Sequence, residues 1–243
     1  MLRHTGQKRS FRHNVRLAAL LCLNAGFINA AGFMAFVVLT TNVTGHAALL
    51  AVNLAEGNLR TARMAALWLF LFLAGAFSSG LYISKIGREK SFAYTIPIVF
   101  IICILLFVAI FGYSYNATLQ ETEYFAGSLL FGMGVQNALV SMISGSVVRT
   151  THLTGMFTDL GIDLSTAVLS YKNLNQAIKR RIVLRITIIS CFLMGGICGG
   201  ILFSKWKFTA FYVPVCILIT ALFYDYFRVK ITRMITHSKR IQA

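Results

Sequence analysis

Asp159 and Asp163 stand four residues apart in the apolar stretch Met156–Ser170. On a helix that spacing puts both carboxylates on one face. They are two of only seven acidic residues in the chain. A carboxylate at membrane depth costs about 2.5–3.5 kcal/mol on insertion scales and by default marks a cation or proton site. The competing reading is structural: a partner for Arg149, Arg185 or Lys172, or an interfacial position that reaches water. Just before the pair runs TTHLTG, Thr150 to Gly155, and the same phrase occurs earlier as TTNVTG, Thr40 to Gly45. Threonine hydroxyls suit helix N-termini, where they cap free N–H groups. Glycine permits close backbone approach. A helix N-terminus carries about half a positive charge and attracts anions. The two signals therefore conflict in sign, anion against cation or proton.

Other polar residues fall near the two phrases. Asn29, Gln136 and Asn137 suit either interhelical hydrogen bonds or the wall of a path. Thr40, Thr41, Thr44, Thr150, Thr151 and Thr154 suit capping and packing, with path lining as the functional alternative. His46 and His152 read first as hydrogen-bonded histidines rather than proton relays. Asn53 takes the place in the first copy that Asp163 takes in the second, so any site is asymmetric. In that frame Asp163→Asn, which imitates Asn53, is expected to leave the protein at least as stable and to impair proton- or cation-coupled flux. No GxSxG, HExxH or P-loop phrase and no paired catalytic carboxylates are present, so no catalytic residue and no enzyme is expected. Cys22, Cys103, Cys191, Cys198 and Cys216 lie in apolar runs without CxxC or a nearby His. They read as buried hydrophobes, with no metal and no cofactor.

These residues sit in a very apolar chain. Of 243 residues 57% are hydrophobic and 12% charged, against about 25% charged in soluble domains. Mean hydropathy is +0.73. Composition excludes a soluble enzyme and predicts an integral membrane protein whose first partner is the lipid bilayer. The net charge of +16 lies at segment ends: Arg3, Lys8, Arg9, Arg12 and Arg16, then Arg228, Lys230, Arg233, Lys239 and Arg240. That pattern fits cytoplasmic flanks facing anionic lipids, and no basic soluble domain exists to bind nucleic acid. The first apolar run is too long for a signal peptide and lacks a cleavage site, so it is expected to be retained.

Eight apolar stretches follow: Leu17–Val38, His46–Leu54, Ala62–Ile83, Phe92–Tyr113, Phe125–Val148, Met156–Ser170, Ile182–Phe203 and Phe208–Phe227. Six are long enough to span about 30 Å. The two short ones follow the TTxxTG phrases. GFINA, Gly26 to Ala30, answers GVQNA, Gly134 to Ala138, so each half reads long helix, TTxxTG, short helix, long helix, long helix. A period this long signals a duplicated membrane unit of the kind transporters use. If the short helices cross, the halves are parallel with four spans each; if they return, the halves are inverted with three. Lysine and arginine totals do not separate the two. The loop SKIGREK, Ser84 to Lys90, falls inside only in the second case. The expected fold is all-α: about six transmembrane helices in two inverted three-helix repeats, each with a TTxxTG break and a short re-entrant helix. The divisions are a basic cytoplasmic segment 1–16, repeats 17–113 and 125–227, an external loop 114–124 and a basic cytoplasmic tail 228–243.

GFINAAGF…TTNVTG and GVQNALVSMISGSVVRTTHLTG…DLG resemble the two signature stretches of the YoaK family of bacterial inner-membrane proteins, over roughly residues 17 to 227. The resemblance implies a multi-pass protein of the bacterial inner membrane. It implies no activity, since that family is a domain of unknown function. His46 is a departure, where the family's first copy reads MTGN.

The expected function is passage of a small solute or ion through a midplane site at the two TTxxTG phrases. The alternatives are a structural or regulatory membrane protein, or an intramembrane enzyme using Asp159, Asp163 and His152. The small-residue face GGICGG, Gly195 to Gly200, predicts close helix packing, either within the bundle or against a second copy in a homo-oligomer.

Overall fold

The computed structural model describes residues 11–87, 90, 92–170 and 175–223. The basic residues expected at Arg3, Lys8, Arg9, Arg88 and Lys172, the end of the last apolar stretch and the tail from 228 lie outside these. The described residues form eight helices and no strand. They are α1 (Phe11–Phe36), α2 (Val43–Ala55), α3 (Leu59–Ile86), α4 (Phe92–Phe111), α5 (Leu119–Ser144), α6 (Leu153–Leu169), α7 (Gln176–Trp206) and α8 (212–223), with 3-10 turns at Gly112–Ser114 and Lys207–Phe211. Five segments are long and apolar enough to cross a membrane: Asn14–Phe36, Leu59–Ile86, Ala93–Ser114, Leu119–Ser144 and Gln176–Phe223. The last has 48 residues, roughly 70 Å as one helix. The 3-10 turn breaks it into α7 and α8, and Lys207 in that turn has a φ of 49°.

Over the described residues each of the eight expected stretches contains a helix, with boundaries set by caps rather than by hydropathy. α5 starts at Leu119, ahead of Phe125, because the Thr118 hydroxyl accepts the Glu121 N–H at 3.2 Å. It stops at Ser144, short of Val148, because Gly145 turns left-handed with φ 63° and its N–H closes on Ser141. α7 starts at Gln176, where Asn175 caps Ala177 at 2.9 Å.

α1 ends in the same way as α5, with the Val37 N–H on the Phe33 carbonyl at 2.8 Å. There the left-handed residue is Val37, φ 57°, a β-branched side chain in a conformation that costs about 1–2 kcal/mol without glycine. Val37 is 78% exposed, so little packing is lost on removing it. Val37→Gly is expected to raise stability by about 0.5–1 kcal/mol after glycine's own entropy cost. Thermal unfolding in detergent checks this, and a lowered midpoint would show that the valine side chain is needed.

Helix directions follow from named contacts. Gln136 of α5 accepts from Asn24 of α1 at 2.8 Å and donates to the Leu21 carbonyl at 3.0 Å. At the other end Phe36 stacks on Phe125 with centroids 5.7 Å apart. α1 and α5 are therefore antiparallel. Arg63 of α3 pairs with Glu123 of α5 at 2.9 Å, and Gly75 lies on Phe131, so α3 and α5 are parallel. α1 and α3 must then be antiparallel, and α2 between them does not carry the chain to the opposite end. α7 runs parallel to α1, with Gly195 against Leu23 and Gly199 against Phe27. It is thus antiparallel to α5, and α6 likewise returns.

The two main helix pairs, α1 with α7 and α3 with α5, meet backbone to backbone. A Cβ on Gly26 would overlap the Phe192 carbonyl, and one on Gly195 the Leu23 carbonyl. A Cβ on Gly134 would overlap the Phe72 carbonyl, and one on Gly75 the Phe131 carbonyl. The glycines of GGICGG are thus used inside the bundle, Gly195 and Gly199 against α1 and Gly200 in ordinary contact with Met34. One end of the bundle is filled by aromatic rings: Phe36, Tyr115, Phe125, Phe203 and Phe208 contact one another at 5.0–6.5 Å.

Candidate functional site

After Val37 the chain turns back along α1. The Thr40 methyl lies beside Gly32, and the Thr41 N–H donates to Asn29 Oδ1 at 3.1 Å, so the break descends about two turns along the helix it has just left. His46 ties the same segment, its Nε2 bonding the Leu39 carbonyl at 2.8 Å. The caps are not the threonines. Asn42 is the N-cap of α2, and its Oδ1 accepts the Gly45 N–H at 3.0 Å. His152 is the N-cap of α6 and makes no side-chain capping bond. The motif glycine now has a physical reason. A Cβ on Gly45 would overlap the Asn42 carboxamide, and one on Gly155 the His152 ring. Glycine leaves room for the N-cap side chain to fold over the first turn.

Both breaks wall one cavity of about 640 Å³. From the first it takes Thr41, Asn42, Val43 and Thr44; from the second Thr151, His152, Leu153 and Thr154. Asn29 and Asn137 add carboxamides, and Phe72 and Phe192, near the middle of α3 and α7, add aromatic faces. α2 and α6 do not pack closely on each other; their first turns face one another across this space. Arg149 lines the cavity, and among the described residues no carboxylate does. Thr40 and Thr150 are fully buried and line neither cavity, and among the described residues neither hydroxyl has a partner. Asn137 Oδ1 is also buried without one. Its counterpart Asn29 has the Thr41 amide, but the second break is two residues longer and leaves that acceptor bare.

A second cavity of about 440 Å³ adjoins the first, sharing Ser146, Arg149 and His152. Asp159, Arg181 and Arg185 line it. Here the expected acid pair is resolved. Asp163 is buried, at 4% exposure, with Oδ1 accepting from Arg181 Nη2 at 3.0 Å and Oδ2 bonded by Arg185 Nη1. Arg185 also reaches Asp159 Oδ2 at 3.0 Å. The carboxylates share a face, and α7 supplies their partners. Asn53 is buried but turns inward on its own helix, its Nδ2 donating to the Leu49 carbonyl at 2.7 Å. Gln136 ties α5 to α1 and lines neither cavity. Among the described residues no group of His, Cys, Asp or Glu is placed to hold a metal.

Sequence reading missed several lining or positioning residues. Asn42 carries the ordinary N-cap signal. Phe72 and Phe192 sit in FLAGA and FLMGG, a third matched phrase that went unpaired. Arg181 stands on α7 one turn before Arg185, facing the same carboxylate.

Apolar helices of membrane-crossing length, packed around a polar cavity, are consistent with a helical membrane protein. The chain belongs to the family described as Protein of unknown function (DUF1275), whose model matches residues 17–224. The YoaK proteins suggested by the sequence are members of that family. No curated protein and no solved structure matches the chain.

Proposed function

We propose that the protein moves a small solute or ion across the bacterial inner membrane through a midplane site at the two TTxxTG breaks. The observation that carries this reading is the single cavity walled by matching residues of both breaks. Non-helical backbone at membrane depth is tolerated where it lines a wet space, and two broken helices meeting at a central site are the geometry of secondary transporters.

The same reading takes the fold as two inverted three-helix repeats. In support, Leu23, Gly26, Phe33 and Val37 play the parts of Phe131, Gly134, Ser141 and Gly145, and Phe72 and Gly75 those of Phe192 and Gly195. With α2 and α6 returning, six spans leave both termini on one side, which the basic flanks make cytoplasmic. On that topology the aromatic end is outer and closed, and the second cavity is an inner vestibule.

The test is flux into proteoliposomes holding the purified protein, with small anions, cations and polyols as probes. At least one class is expected to enter faster than into empty liposomes. Thr154→Trp, which places a large ring in the cavity, is expected to abolish that entry. Absence of flux for all three classes would leave the non-transporting, structural alternative.

A further inference from the structure

We infer that the cavity between the two breaks binds a small organic anion, with its carboxylate toward Arg149 and its apolar part between Phe72 and Phe192. The inference deepens the transport reading by naming the substrate class of the same site.

Charge decides the sign that sequence left open. Asp163 was the argument for a cation, yet both its oxygens are taken by Arg181 and Arg185, and Asp159 gives one oxygen to Arg185. Two carboxylates thus face three arginines around the vestibule, and the charge left over is Arg149, which makes no ion pair among the described residues. It stands where the two cavities join, lining both. A guanidinium presents N–H groups in a planar fork that matches a carboxylate.

The remaining wall is of the same sense. His152 gives no side-chain cap, so the first N–H groups of α6 are open toward an acceptor, at the positive end of a 17-residue helix. Two polar atoms at or behind this wall have no partner among the described residues. Thr150 is fully buried between lining residues Arg149 and Thr151, with its hydroxyl unsatisfied. The Asn137 carboxamide lines the cavity with its oxygen buried and bare; that oxygen is an acceptor, and the amide meets an anion only through its Nδ2 hydrogens. Buried polar groups without partners are costly; Thr150 lies behind the wall rather than on it, so Asn137 is the one of the two that a ligand in the cavity can reach. The apolar members of the wall, Leu39, Phe72 and Phe192 among them, have no use for a bare inorganic ion but suit a hydrocarbon portion.

The experiment uses the purified full chain with radiolabelled acetate, lactate and benzoate. Equilibrium binding is measured in detergent and uptake in proteoliposomes, with rubidium, glycerol and sulfate as comparison probes. Saturable binding and uptake of at least one carboxylate are expected. Arg149→Gln is expected to weaken half-saturation about tenfold or more, the loss of one charged hydrogen-bond partner, and Arg149→Lys to recover part of it. Arg149 lies exposed after α5, so both variants are expected to fold. Arg63→Gln, at the opposite end, serves as the control and is expected to match the parent. Carboxylate binding without uptake would remove transport and keep the anion site. Uptake of only rubidium or glycerol would keep transport and overturn the anion. Binding of sulfate alone, carboxylate binding indifferent to Arg149→Gln, or no binding by any probe would overturn the inference.

Discussion

Gly26→Ala and Gly195→Ala are each expected to destabilise the protein by about 3 kcal/mol, with Gly134→Ala and Gly75→Ala doing the same in the other helix pair. The added methyl meets a carbonyl of the facing helix in all four cases. A side chain in that place could rotate away, but a helix backbone moves only as a body, and overpacking of this kind costs about 1–3 kcal/mol or more. Nothing replaces the lost contact in lipid, because the driving force between apolar helices there is close packing itself. The internal control is built in. A Cβ at Gly80 or Gly161 meets nothing within 4 Å, so alanine there is expected to gain up to about 1 kcal/mol from helix propensity. Denaturation midpoints in detergent for the six variants check this. Equal stability of Gly26→Ala and Gly80→Ala would show that α1 and α7 do not touch through their backbones.

That packing was half visible beforehand. The expected eight helices came from runs of apolar residues, and each run is helical because lipid and core demand the same thing of it. Their ends were misplaced by up to six residues, as at Phe125, since Thr118 and Asn175 cap helices beyond the apolar zone. The GGICGG face announced close packing but not its partner. The partner is α1, whose contact row Leu23, Gly26, Phe27, Ala30 and Met34 mixes small with large residues and so announces no small-residue face. At the site, residue type and spacing brought forward both breaks, because matching TTxxTG phrases stand out in a chain with few polar residues. Arg149 entered the sequence reading only as a possible partner of the acid pair, because only the cavities show it lining both chambers. Asp163 attracted a functional reading because its partners lie 18 and 22 residues away, and a sequence does not say how α6 folds back on α7.

Asp163→Asn is expected to destabilise the protein by about 3 kcal/mol, the reverse of what its match with Asn53 suggests. The asparagine in the first half is at ease because its surroundings are uncharged. Counted through FLAGA and FLMGG, Arg181 and Arg185 correspond to Thr61 and Ala65, and Asn53 needs only the Leu49 carbonyl at 2.7 Å. In the second half an amide would leave Arg185, whose side chain is 17% exposed, facing Asp159 alone, with Arg181 beside it. Breaking a buried pair by removing one partner costs about 3–5 kcal/mol. The lower figure applies because Arg181, at 52% exposure, can turn to water. Asp159→Asn is expected to cost less than about 1 kcal/mol, because Asp159 is 48% exposed and its pair is partly solvated. Replacing both buried partners, Asp163→Leu with Arg185→Met, is expected to recover most of the stability, since apolar side chains of similar volume substitute well for a buried ion pair. Denaturation midpoints of the parent, Asp163→Leu, Arg185→Met and the double variant form the cycle. Flux then separates structure from chemistry. The double variant keeps Arg149 and the net charge, so it is expected to take up carboxylates as the parent does. A double variant that is stable, intact and unable to transport would mean that Asp163 itself handles the coupled proton or cation, and that its arginines poise it rather than retire it.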